Sequence, residues 1–201
     1  MTHRVSGTAF SRIRHLSAWF SRASSWPAAL AATVVFAVFL TVVLPQQSRA
    51  TRAVTGGARS PDTALFYTPA ELYEIAEIYG PAGRAAYVRA RWTFDVVWPL
   101  AYTAFLTTML SIVVGRVAAA GSPWRLANLA PLVGMLCDYL ENSATSLVLG
   151  RFPQRTPGVD MLAPLFTALK WLFVNGSFVL LAGGAVIAGW RWGAARSRLG
   201  A

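Results

Sequence analysis

The chain has 201 residues, 55% of them hydrophobic and 13% charged, with a mean hydropathy of +0.47, which is too apolar for a soluble domain of this length. One cysteine excludes an internal disulfide framework, and two histidines confined to the first fifteen residues exclude a conventional His/Cys metal site in the body; no zinc, haem or other cofactor is expected. The net charge of +10 comes from 18 basic residues scattered over loops and tails, which points to membrane lipids with anionic headgroups as partners and away from nucleic acid.

Residues 1–26 are rich in Arg and Ser and free of acids. They read as a basic cytoplasmic tail, with an organelle transit peptide, or a signal peptide cut near Ser48-Arg49-Ala50, as alternatives. The apolar run that follows is longer than a usual signal core, which favours an uncleaved anchor. A bilayer core of about 30 Å takes about 20 apolar residues in a helix, and four such runs stand at about 27–44, 92–119, 126–149 and 161–190. No run alternates with a two-residue period, and unpaired amides cannot survive in hydrocarbon, so the expected fold is all-α, an integral membrane four-helix bundle over residues 27–190.

Between the first two spans, an extramembrane loop covers 45–91. Its stretch 46–61 has Gly, Ser, Arg and Thr without apolar period and reads as a flexible linker. Thr68-Pro69-Ala70-Glu71 then forms a capping box, predicting a short amphipathic helix over about 69–79. Leu72, Ile75, Ala76 and Tyr79 share its apolar face, Glu71, Glu74 and Glu77 lie off it, and Gly80-Pro81 stops it. Residues 191–201 form a second basic tail. With both termini cytoplasmic the inner segments hold nine arginines and the outer ones eight, so the orientation rests on the four arginines that flank the first span. The expected location is a bacterial inner membrane.

Ionisable groups inside a span cost about 2.5–3.5 kcal/mol or more, so they mark the expected site. In span two, Arg84, Tyr87, Arg91, Asp95, Trp98 and Tyr102 fall within about 60° on one helical face, either an interfacial Arg/Asp/Trp anchor with a structural tyrosine or an entrance running inward from the outer loop to Asp138 and Glu141. Pro99 removes the amide partner of the Asp95 carbonyl, so a bend is expected there. In span three, Asp138, Glu141, Asn142 and Thr145 lie within an arc of about 100°. The two carboxyls repel each other in a low dielectric, so at least one is expected to carry a proton near neutral pH unless a cation compensates. Lys170, the only lysine in the chain, lies in span four at a depth similar to both acids and supplies that cation. Snorkelling to the outer headgroups beside Trp171 is its alternative placement.

The runs Gly83-Arg84, Tyr87, Asp95, Pro99 and Tyr102, then Asp138-Tyr139-Leu140-Glu141-Asn142, then Thr167-Ala168-Leu169-Lys170-Trp171, resemble a group of small bacterial four-span membrane proteins with a D-x-x-E-N run in the third span. The resemblance covers spans two to four and implies no activity. Membrane isomerases of the sterol type also use buried acids and an asparagine, but their motifs differ in order and spacing. Three functions follow from the residues. The first is a site for a lipid-like small molecule, binding it or performing acid/base chemistry with Asp138 or Glu141 while Asn142 holds the polar head. The second is a structural or assembly subunit; the third is a proton or ion pathway along Asp95, Tyr102, Asp138 and Glu141.

Overall fold

The computed structural model describes residues 3–199, with side chains from residue 10; the outermost residues of the two basic tails, 1–2 and 200–201, lie outside the described residues. The described residues are predominantly helical, without a strand. Seven α-helices follow one another: α1 (His3–Ala23), α2 (Trp26–Val38), α3 (Leu44–Val54), α4 (Pro69–Arg91), α5 (Phe94–Val117), α6 (Ala130–Arg151) and α7 (Val159–Leu199). Three helical runs, Trp26–Val54, Pro69–Val117 and Val159–Arg198, are long and apolar enough to cross a membrane, which suggests an integral membrane protein.

The segment read as a tail is helical over 3–23, and the stretch read as a linker is helical to Val54. The second difference has a local cause. Pro45 has no amide to donate and its ring crowds the carbonyl four residues back, so the preceding turn widens into a π-helix, Phe39–Val43, and the helix continues instead of ending. It stops only at Gly56 and Gly57, both at positive φ.

The capping box forms as expected: the Thr68 amide donates to Glu71 Oε2 at 2.7 Å and the Glu71 amide to Thr68 Oγ1 at 3.2 Å. Gly80, at φ 60° and ψ 177°, breaks α4 there, a conformation that a side chain would strain, and a second helical stretch runs from Pro81 to Arg91. The predicted apolar face is buried, and Leu72, Tyr73, Ile75, Ala76, Tyr79 and Tyr87 pack against Ala144, Val148 and Leu149 of α6 and Ala163 of α7. The Glu71, Glu74 and Glu77 side faces solvent.

Helices α5, α6 and α7 form the antiparallel centre. α6 and α7 approach so closely that a Cβ on Gly134 would stand 3.0 Å from the Val174 side chain. Helix α5 continues through Pro99 as a single element. A second apolar cluster joins Tyr102 and Leu106 of α5 to Val174 of α7, with Phe36 of α2 stacked on Trp98 and Phe105. Thus α2 packs on α5, while it reaches α7 mainly through Phe36 and Phe178, leaving a gap between the first and last long helices.

Candidate functional site

Lys170 projects from α7 into the bundle and is 5% exposed. Its Nζ lies 2.5 Å from Glu141 Oε2 and 3.9 Å from Asp138 Oδ1, both on α6, and donates to the Asp62 carbonyl at 3.3 Å. The expected meeting of lysine and both acids therefore holds geometrically, and Trp171 stays within 5.2 Å of the ammonium. Tyr102 of α5 donates to Asp138 Oδ2 at 3.1 Å. Beside this group, Arg91 Nη1 pairs with Asp95 Oδ2 at 2.6 Å and Asp62 Oδ2 at 2.8 Å, while its guanidinium covers the Tyr87 ring at 4.6 Å.

Asp62 ties the two halves together, its carboxylate held by Arg91 and its carbonyl by Lys170. Four carboxyl groups (Asp62, Asp95, Asp138, Glu141) thus face two cations. With every group ionised the cluster carries two negative charges in excess, which in a low dielectric favours bound protons or a positively charged or hydrogen-bond-donating guest.

A cavity of about 660 Å³ opens onto this cluster. Asp62, Arg91, Asp95, Tyr102, Asp138 and Lys170 line its polar end, and Phe36, Leu40, Phe94, Trp98, Val174 and Phe178 its apolar wall. Arg52, Thr55 and Arg59 also line it, the two arginines exposed and Thr55 buried. Glu141, Asn142, Thr145, Tyr87 and Arg84 do not reach the cavity. Glu141 is wholly buried behind Lys170, and the Thr145 hydroxyl donates back to the Glu141 carbonyl at 2.9 Å. Asn142 is 2% exposed with neither side-chain polar atom partnered, so the structure does not bring it to the place a bound head would occupy.

The polar line expected from Arg84 to Tyr102 is not one helical face. The chain turns at Trp92–Thr93 between α4 and α5, with Thr93 at φ −123° and ψ −79°; Arg91, Asp95, Trp98 and Tyr102 still line one cavity and Tyr87 lies beneath the Arg91 guanidinium, but Arg84 departs from the line. Arg84 instead closes the Gly80 break, donating to the Ala76 carbonyl at 2.8 Å with Phe152 beneath its guanidinium at 4.8 Å.

Asp62 escapes a search for charges inside spans because it follows a Gly/Ser/Arg-rich stretch; its signal is Ser60-Pro61-Asp62, with Asp62 the first acid of the chain. Also missed is a buried stripe of hydroxyls on α5, Thr103, Thr107 and Ser111, legible as a four-residue repeat.

Asp62 sets an acid limit on stability. Burial alone raises its carboxyl, but Arg91, Lys170 and the Ser60 hydroxyl outweigh burial and bring it from the ordinary 3.8 down to about 2. Because the folded value lies below the unfolded one, the contribution is full above about pH 4 and disappears as pH falls toward 2. The shift corresponds to about 2 kcal/mol for a group that is mostly buried. Thermal unfolding in detergent between pH 5 and 2 should steepen with acid for the wild type and flatten in Asp62→Asn; equal slopes would contradict the assignment.

No protein-family model, curated protein or solved structure matches this chain.

Proposed function

We propose that the protein is a four-span integral membrane protein that binds a lipid-like amphiphile in the central cavity and performs acid/base chemistry on it with Asp138. The observation that carries this reading is the two-ended cavity: a charged end at Asp62, Arg91, Asp138 and Lys170 grades into an aromatic wall at Phe36, Trp98 and Phe178. Its side lies at the gap between α2 and α7, where an amphiphile enters from the bilayer with its tail still in lipid.

The third span in this reading is α6. Its inward face carries Asp138, Glu141 and Asn142, while Leu136, Leu140 and Leu147 point outward, the inverted pattern of a helix in lipid. The other long helices support it: Leu30 and Val34 of α2 and Leu172, Val179 and Val186 of α7 are all more than half exposed. Lys170 lies about 31 Å along α7 from Arg191, whose guanidinium meets the Val117 carbonyl at the far end of the bundle. A hydrocarbon slab of about 30 Å beginning there ends near Lys170, so the charged cluster lies at headgroup level rather than at mid-depth. That height suits a polar head in the cluster and a tail along Phe36 and Phe178. Both termini are then cytoplasmic and the cavity faces the opposite leaflet, in a bacterial inner membrane.

In the chemistry proposed, Glu141 neutralises Lys170 at 2.5 Å, whereas Asp138, at 3.9 Å, remains on the cavity wall to give and take a proton, steadied by the Tyr102 hydroxyl. The test is direct. Full-length protein extracted from membranes is analysed for tightly held amphiphiles by mass spectrometry, alongside Asn175→Trp, a substitution at an exposed position lining the cavity. One compound class should be enriched in the wild type and lost in the variant. Bulk lipid of equal composition in both would overturn the reading.

The hydroxyl stripe favours a second reading, a proton path. Thr103, Thr107 and Ser111 lead along α5 from Tyr102 toward Asn128 at the other end, and the Thr107 hydroxyl has no partner. In this reading liposome-reconstituted protein carries protons without any substrate.

A further inference from the structure

The end of the bundle farthest from the cavity holds a second cleft, of about 810 Å³, between α1 and the turn 118–129. Helix α1 is fastened there by polar contacts. Asn128, fully buried, accepts from Ser17 Oγ at 2.8 Å and donates to the Ser17 carbonyl at 3.0 Å, to Ser21 Oγ at 3.3 Å and to Ser111 Oγ at 2.9 Å. Arg14 adds a bond to the Gly121 carbonyl at 2.6 Å. Its polar side spent on the protein, α1 turns Phe10, Ile13, Leu16 and Trp19 outward, each about half exposed.

Arg14, His15, Arg22 and Arg125 line the cleft, and Arg12 stands beside it on α1. No acid answers them. All eight acids of the chain lie between residues 62 and 160, none of them in α1 or the turn 118–129, and every ion pair among the described residues belongs to the central cluster. Arg125 is fixed on its own turn, donating to the Ala119, Gly115 and Ala118 carbonyls at 3.1, 3.3 and 3.2 Å, so its charge, like that of Arg14, meets carbonyls and no carboxylate. A helix with exposed apolar residues flanked by arginines that no acid neutralises has the chemistry of one lying in an anionic headgroup layer. The apolar residues argue against a free phosphate as occupant, because they need acyl chains to cover them.

We propose that the cleft between α1 and the 118–129 turn binds the phosphate of an anionic phospholipid, with Arg14 and Arg22 around the phosphate, Arg125 adding a fixed positive charge from the turn, and Ile13, Leu16 and Trp19 at the acyl boundary. The inference rests on the membrane embedding proposed above and is independent of the central cavity.

The experiment is native mass spectrometry of the full chain in detergent with equal amounts of phosphatidylglycerol and phosphatidylcholine. The wild type should retain phosphatidylglycerol in preference, and Arg14→Gln/Arg22→Gln should lower that preference roughly tenfold or more. Arg49→Gln/Arg89→Gln, at the opposite end, should leave it unchanged. The single variant Arg22→Gln, which removes none of the α1 docking bonds described above, should lose part of the preference and so carries the test should the double variant fail to fold. Equal retention of the two lipids, or a preference that survives both cleft variants, overturns the proposal, as does displacement of the lipid by millimolar inorganic phosphate. Failure of membrane embedding would read differently: the chain would stay in solution without detergent.

Discussion

Lys170→Met is expected to destabilise the protein by about 3–5 kcal/mol, the largest effect of any single substitution considered, because it leaves a fully buried carboxylate without its cation. Glu141 has no exposure and no other charged partner within ion-pair distance, so it must either take a proton or be hydrated, and each disrupts the packing between α6 and α7. Lys170 also holds the Asp62 carbonyl, so the 55–67 segment should loosen in the same variant. Equilibrium unfolding in mixed micelles at neutral pH measures the loss. Lys170→Met/Glu141→Gln should regain most of it, since two neutral groups of similar shape impose little desolvation cost. A single variant as stable as the wild type would mean that Glu141 is already neutral in the native state.

Asp138→Asn should abolish function while sparing the fold. The asparagine keeps the size of the side chain and an oxygen for the Tyr102 hydroxyl, and Lys170 keeps its closer partner Glu141. Removing a positioned acid/base group costs about 10² to 10⁴ in rate, so turnover of the co-purified amphiphile should fall by that factor with binding retained. Glu141→Gln should show the opposite profile, a loss of stability with turnover largely kept. Asp138→Asn/Glu141→Gln combines the two, and if it turns over the amphiphile as the wild type does, both acids are structural. Proton flux in liposomes separates the remaining alternative: flux in the wild type that vanishes in Asp138→Asn and weakens in Thr107→Val, with no substrate consumed, supports a path along α5 instead.

Much of this was legible in the residues because it follows from short-range rules. The capping box at Thr68 and Glu71, the buried face of Leu72, Ile75 and Ala76, and the stop at Gly80 all depend on neighbours within one or two helical turns. The meeting of Asp138, Glu141 and Lys170 was legible for a different reason: two acids and one lysine in otherwise apolar helices are costly to bury unless they pair with each other. The apolar composition likewise foreshadowed the three helical runs long and apolar enough to cross a membrane.

Tertiary structure decided the rest, where one element answers to another far away in sequence. That Glu141 serves Lys170 from behind while Asp138 faces the cavity depends on how α6 is rotated against α7, and helical periodicity places both on one side without ranking them. Asp62 joins the site only because a loop more than a hundred residues from Lys170 folds over it. The Arg84 to Tyr102 line is not one helical face, because periodicity assumes an unbroken helix and the chain turns at Trp92–Thr93; Arg91, Asp95, Trp98 and Tyr102 meet at the cavity by tertiary packing, while Arg84 turns to the Gly80 break. The same limit hid the role of α1: its amphipathic pattern is local, but whether its serines face water or Asn128 is settled by a turn more than a hundred residues away.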